Sequence, residues 1–374
     1  MVDVKIPSVV IVCGDPGGAN AIAPVIQKLL NDKKVRVSAF AYREAKKLWK
    51  DRTIPFTDLP NDITLASAEI LLKKQEAHIF FSGTSYNDQE FEKQFIAAAR
   101  NLQIPSLVLL DYWSYYSIRF SDNAGNRIYI PDKIAIMDEL TLKEMIQEGF
   151  VPDQLVITGQ PAYDDIIMSR NSFSAKRKEN IRKELGVFQD ELMVVFASEP
   201  LFWGTPANPA NPGYTRTGVL HSLISALDNI QKNSNKKIAL VVRLHPRENV
   251  QEFNDIHGEK IRAIISTAGN SRDIIQASDL VCGMTTALLM EACYLGCIVA
   301  SIQPGLTQPD ILPSNRLGYS TPIYKEEDII PVIQMLLLDQ KTQNRIRNKC
   351  LSLIPETRSA DRVACQIYSM CGIL

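Results

Sequence analysis

Short apolar runs rich in β-branched residues alternate with amphipathic stretches along the whole chain, and no other feature constrains the fold as much. Runs too short for a helix suit the buried strands of a parallel sheet, and the amphipathic stretches between them suit the crossover helices that such a sheet requires. In the first half the pattern predicts strands at Val9–Cys13, Val35–Ala41, His78–Ser82, Ser106–Leu110, Lys133–Met137 and Leu155–Thr158. Helical spacing falls at Asn20–Asn31, Leu65–Gln75, Asp88–Leu102 and Glu139–Glu148. A polar, basic segment from Ser169 to Glu184, closed by Gly186 as a helix C-cap, interrupts the rhythm.

The alternation restarts with strands at Leu192–Ala197, Ile238–Leu244, Ala263–Ile265, Leu280–Cys282 and Ile298–Ile302. Helices are expected at Thr217–Lys232, Asp273–Ala277, Ala287–Leu295 and Glu326–Leu338. The fold class is therefore α/β, and 374 residues at roughly 150 per domain accommodate two units of this kind. The connection is placed near Pro161–Asn171, giving domains at 1–165 and 166–342. GTPANPANPG, Gly204–Gly213, is too rich in Pro, Asn and Gly for an element interior and reads as a loop leaving the carboxyl end of a strand.

Composition narrows the function classes. Lys and Arg total 41 against 42 Asp and Glu, so no whole-chain field draws the protein to nucleic acid. No apolar run approaches the ~18 residues of a membrane span, and no signal peptide is evident, so a cytoplasmic protein is expected. Seven cysteines without a CxxC pair argue against a disulfide framework or a zinc knuckle, and Cys282, Cys293 and Cys297 read as small core residues.

Three stretches carry residues suited to chemistry. The first strand runs into GDPGGANAIAPVI, where Gly14, Asp15, Gly17 and Gly18 form a turn that lets backbone N–H groups approach a phosphate or a sugar hydroxyl, with Asn20 as the cap of the following helix. VVRLHPREN places Arg243, His245 and Arg247 at alternate positions where a strand ends at Pro246, a set of cations suited to a diphosphate. SDLVCGMTTALLMEACYLG reads as strand, Gly283 turn, a cap at Thr285 and Thr286, helix, and Gly296 C-cap. The helix start would attract an anion, and Glu291, isolated in an apolar run, needs donors such as a ribose diol.

These stretches resemble the GT-B superfamily of nucleotide-sugar enzymes, most of all the non-hydrolysing sugar-nucleotide 2-epimerases and the bacterial capsule and sialic-acid glycosyltransferases. VITGQPAYDDI, Val156–Ile166, is similar to the VTGNPxxD stretch that joins the domains there, and EACYLG, Glu291–Gly296, matches EAxxLG of the nucleotide-binding helix. The resemblance implies that Glu291 holds the ribose, that Thr285 and Thr286 take the phosphate-binding place of a Ser-Gly-Gly, and that His245-Pro246 corresponds to an HP motif whose His contacts the donor phosphate. Where the epimerases carry HxEAG, this chain has LLDYWSYYSIRF, with Asp111 standing without the His and Glu.

The expected architecture is two Rossmann-like domains facing a cleft, the closing segment 343–374 crossing back to the first domain. The expected function is transfer of a sugar from a UDP- or CMP-linked donor to a glycan acceptor. Asp111 would be the general base, and Tyr112, with Trp113, Tyr115 and Tyr116, would stack on a sugar ring. No cofactor or metal is called for, since no DxD pair stands on a loop; Asp164-Asp165 and Glu326-Glu327-Asp328 sit where helices start. A nucleotide-sugar 2-epimerase is the alternative, a non-catalytic nucleotide-binding protein a third, and the homodimer an open question of assembly.

Overall fold

The computed structural model describes residues 6–85, 90–200 and 211–373. Two compact units divide the chain: Met1–Asp164 with Pro355–Leu374, and Asp165–Ile354. In the first, a seven-stranded sheet has the order β3-β2-β1-β4-β5-β6-β7. Its strands are β1 (Ser8–Cys13), β2 (Arg36–Ala41), β3 (Thr57–Asp58), β4 (Ile79–Ser82), β5 (Ser106–Leu109), β6 (Lys133–Ile136) and β7 (Leu155–Ile157). The second carries six strands ordered β10-β9-β8-β11-β12-β13. These are β8 (Glu191–Ala197), β9 (Lys237–Arg243), β10 (Arg262–Ser266), β11 (Leu280–Gly283), β12 (Val299–Ile302) and β13 (Thr321–Ile323). Every pairing is parallel, so each unit is a Rossmann-like sheet covered by helices.

The helices of the first unit begin with α1 (Pro16–Asp32), α2 (Arg43–Asp51), α3 (Leu65–Lys74), α4 (Phe91–Asn101) and α5 (Glu139–Gln147). After α6 (Asp164–Ser172) at the boundary come α7 (Ala175–Glu184), α8 (Arg216–Asn233), α9 (Ser271–Ala277), α10 (Ala287–Tyr294), α11 (Pro313–Arg316), α12 (Ile329–Leu338) and α13 (Gln340–Leu351), and α14 (Ser359–Met370) returns to the first unit. Continuous burial explains the central strands: Val9 to Cys13 and Val194 to Phe196 are fully buried.

Several elements depart from expectation for identifiable reasons. α1 starts at Pro16, a residue suited to the first helical position, with Asp15 as N-cap. Asn20 therefore lies a turn inside the helix, where its Oδ1 accepts from Arg52 Nη2 at 2.9 Å. α2 shows little apolar periodicity because its sequence is mostly charged, with only Ala45 and Trp49 buried. α4 begins at Phe91, while Asp88 and most of the Gly204–Gly213 loop lie outside the described residues. The chain crosses back at Pro355 rather than near Gln343, because α13 stays with the second unit, its Lys349 Nζ donating to the Gly318 carbonyl at 2.7 Å.

α14 buries Val363, Ala364, Ile367 and Tyr368 in the core that α1 also lines. Its start is held by Asp164, whose two carboxylate oxygens accept the N–H groups of Ser359 at 2.9 Å and Ala360 at 2.8 Å. Asp164 thus opens α6, as expected, and its carboxylate also serves the start of a helix far along the chain. Among the described residues, no helix is long and apolar enough to cross a membrane.

Candidate nucleotide and sugar sites

In sheets of this order, ligands lie beyond the carboxyl ends of the strands where the strand order reverses. That point is β1/β4 in the first unit and β8/β11 in the second. Both ends are built from the residues that the sequence singled out, together with partners it did not.

At the second unit's carboxyl edge a cavity of about 430 Å³ is lined by Ser198, His245, Asn270, Arg272, Thr286 and Glu291, among others. Thr286 caps α10, its hydroxyl accepting the Leu288 N–H at 3.4 Å. The His245 N–H donates to Glu248 Oε2 at 2.7 Å, and its Nδ1 accepts the Arg247 N–H at 3.1 Å. Accepting at Nδ1 leaves the ring proton on Nε2. Burial, with Arg247 close by, lowers the pKa of His245 below its ordinary value. At neutral pH it is therefore a neutral donor rather than a cation.

The two arginines of this stretch stand differently from His245 about the cavity. The Arg243 guanidinium is spent on the β10–α9 turn: Nε on Ser271 Oγ at 3.0 Å, Nη1 on Ser266 Oγ at 3.2 Å and on the Ala268 carbonyl, and Nη2 on the Gly269 carbonyl at 2.8 Å. It borders the cavity as a strut, because a nearly buried guanidinium must satisfy its donors close at hand. Arg247 is exposed and lies outside the lining. Gly283 also serves packing, since a Cβ there would stand 3.2 Å from the Ala197 carbonyl and from Leu289.

The residues that sequence reasoning missed are Glu199, Glu248, Asn270 and Arg272. Arg272 Nε donates to Glu291 Oε2 at 2.8 Å, so the isolated carboxylate finds its donor inside the protein. Asn270 caps α9 with its side chain. Glu248, whose Oε1 accepts from Ser198 Oγ and Arg216 Nη1, each at 2.8 Å, organises the loop that carries His245. Glu199 Oε1 accepts from the N–H of Thr285 at 2.6 Å and from its hydroxyl at 3.1 Å.

In the first unit Gly14 admits the Tyr42 ring, which would lie 2.1 Å from a Cβ, and gives its N–H to Glu92 Oε1 at 2.9 Å. Glu92 also accepts from Ser85 Oγ at 3.0 Å and from the Tyr42 hydroxyl. Burial pushes its pKa up to about 7. Asp15 is buried beside Arg43 Nη1 at 3.1 Å. Gly18 packs under the Thr84 carbonyl and Gly83. The turn expected to receive a ligand is thus largely filled by the protein's own side chains.

Asp111 stands at the end of β5 with Oδ1 held by Thr84 Oγ1 at 2.9 Å and by the buried Arg119 Nη1 at 2.5 Å. Its Oδ2 lies over Gly17, where a Cβ would come within 2.0 Å. Of the neighbouring aromatics, Trp113 is core: its Nε1 donates to Asp138 Oδ2 at 2.6 Å and its ring stacks on Tyr163. Tyr116 is buried too, with its hydroxyl on Glu144 at 2.7 Å. Tyr112 is half-buried and Tyr115 exposed. No group of three or more His, Cys, Asp or Glu among the described residues is placed to hold a metal ion.

No protein-family profile matches the chain, and no curated protein sequence is detectably similar to it. Solved structures are similar throughout. A UDP-GlcNAc 2-epimerase from Neisseria meningitidis bound to UDP-GlcNAc superposes with a TM-score of 0.68 at 13% identity, covering 98% of this chain and 99% of that one. MurG of Acinetobacter baumannii gives 0.62 at 13% identity over 97% and 99%. HepE of Anabaena in complex with UDP gives 0.66 at 15% identity over 98% and 100%. The chain has the GT-B fold.

Proposed function

We propose that this chain is an enzyme acting on a nucleotide sugar held by its second unit, with phosphate over the start of α10 at Thr285 and Thr286, His245 Nε2–H as a neutral donor, and ribose against Glu291. The observation that carries this reading is the meeting of His245, Thr286, Arg272 and Glu291 around one cavity at the carboxyl end of a parallel sheet. UDP is the first nucleotide to test, because similar structures were solved with UDP or UDP-GlcNAc; CMP is the second. The reading calls on no metal: preorganised N–H and O–H donors would meet the charge that grows on the leaving phosphate.

Epimerisation at C2 of a UDP-GlcNAc-like sugar is placed first, ahead of transfer to a glycan acceptor. Transfer was expected to use Asp111 as base beside a row of stacking aromatics. Asp111 shares Oδ1 with Arg119 and Thr84, and Trp113 and Tyr116 face the core, so the support for an acceptor site is reduced. The similarity to UDP-GlcNAc 2-epimerases adds weight. Epimerisation needs no acceptor: the nucleotide leaves C1 as the C2 proton is removed, giving a C1–C2 double bond, and the nucleotide then adds back to C1 as a proton is delivered to the opposite face of C2. Glycosyl transfer stands second, favoured by the missing HxEAG segment.

One experiment separates the readings. The protein is incubated with UDP-GlcNAc in deuterium oxide without an acceptor, and C2 is followed by proton NMR. Deuterium at C2 with a new sugar epimer supports epimerisation. Retention of the C2 proton, with donor consumed only when an acceptor panel is added, supports transfer. Absence of both, with UDP still bound, leaves a binding protein.

A further inference from the structure

Glu199 holds the Thr285 donors that the proposed function assigns to a phosphate. β8 and β11 are neighbours in register, Ala197 beside Gly283, so the residues just beyond each strand meet. Glu199 comes from one end and Thr285 from the other. The carboxylate takes the N–H and the hydroxyl of Thr285, at 2.6 and 3.1 Å, and with them the positive end of α10. These are the donors that an anionic ligand in the adjoining cavity would use. A phosphate and an ionised carboxylate cannot share them without strong like-charge repulsion.

We propose that Glu199 is a built-in competitor for the phosphate end of the ligand, and that phosphate gains Thr285 only when this carboxyl is protonated, so nucleotide binding is coupled to uptake of one proton. The inference rests on the nucleotide reading of the second unit. The neutral carboxyl, turned from Thr285, donates its O–H to a phosphate oxygen, the proton coming from solvent.

The surroundings favour this behaviour. Glu248 faces Glu199 as a like charge, and its own countercharge, Arg216, is divided between Glu248 at 2.8 Å and Glu252 at 2.7 Å. Tyr214, ahead of α8, is neutral, its ionisation made harder by burial and by Glu199. His245 is neutral at pH 7. From the turn ahead of α10 come the N–H groups of Thr285 and Thr286 and the Thr285 hydroxyl. Burial first, with Glu248 adding to it against those hydrogen bonds, pushes Glu199 up to about 7.

The test is calorimetric titration of the full chain with UDP at pH 6.5, 7.5 and 8.5, in two buffers of different ionisation heat, for wild type and Glu199→Gln. In wild type the competent fraction falls about eightfold between pH 7.5 and 8.5, and UDP affinity should fall with it relative to the variant. At pH 8.5, where UDP itself is fully ionised, wild type should take up close to one proton more per UDP than Glu199→Gln. Equal proton uptake and parallel pH profiles, with UDP bound by both proteins, would overturn the role of Glu199 and leave the nucleotide reading standing. No UDP binding by either protein at any pH overturns both. Should Glu199→Gln fail to fold by circular dichroism, wild type alone decides: zero proton uptake at pH 8.5 overturns the coupling.

Discussion

The Asp164 carboxylate accepts the N–H of Ser359 at 2.9 Å, joining residues that are 195 positions apart in the chain. With the second bond to Ala360 it caps α14 and so fixes the returning segment against α1, where the Tyr368 hydroxyl reaches Asp32 at 2.8 Å. Asp164→Ala should cost about 1–3 kcal/mol, since it strands two buried donors, and Asp164→Asn should recover part of the loss. Urea denaturation checks this; a loss below about 0.5 kcal/mol would show that α14 is held by packing alone.

Glu92 supplies a pH dependence whose sign can be worked out. Its pKa in the folded protein is about 7 against 4.5 ordinarily, chiefly through burial. Between those values the folded state binds the proton more strongly than the unfolded one. Its contribution is therefore full below about 4.5 and is lost as pH rises through about 7. Stability should fall by about 1–3 kcal/mol between pH 5 and 8 in wild type, and the slope should be shallower in Glu92→Gln. Unfolding midpoints of both proteins across that range provide the check, and identical slopes would remove Glu92 from the account.

Glu291 and Arg272 form a coupled pair at 2.8 Å, so their effects on nucleotide affinity should not add. Glu291→Ala is expected to weaken UDP binding by about 1.5–3 kcal/mol, the usual worth of a hydrogen bond to a charged group. Arg272→Ala should weaken it less, by releasing Glu291 from its orientation. The double variant should resemble Glu291→Ala alone. Fluorescence or calorimetric titration of the four proteins gives the cycle, and strict additivity would mean that Arg272 acts independently.

Gly17 and Asp111 test the first unit's edge. A Cβ on Gly17 would come within 2.0 Å of Asp111 Oδ2. Gly17→Ala should therefore destabilise by about 1–3 kcal/mol, the range for overpacking a tight site. Asp111→Ala will carry its own cost, because it leaves the buried Arg119 without its carboxylate. In that background, adding Gly17→Ala should cost almost nothing further. A full additional penalty would place the clash elsewhere.

What the sequence alone determined is what depends on local spacing. Alternating apolar runs and amphipathic stretches specify parallel strands and crossover helices, because burial on both faces of a sheet demands continuous apolar runs. The candidate site's frame in the second unit was legible for the same reason: a strand end, a Thr-Thr cap and a helix ended by Gly296 follow one another within a short stretch. Tertiary structure decided which partner each polar group meets. Arg243 turned out to be a strut and Asp111 a shared carboxylate, and Glu199 came to lie on Thr285, because strands distant in sequence become neighbours only once the sheet has formed. A buried charge must find its counterpart in space, and sequence spacing holds no record of that choice when the partners lie 86 residues apart, as Glu199 and Thr285 do.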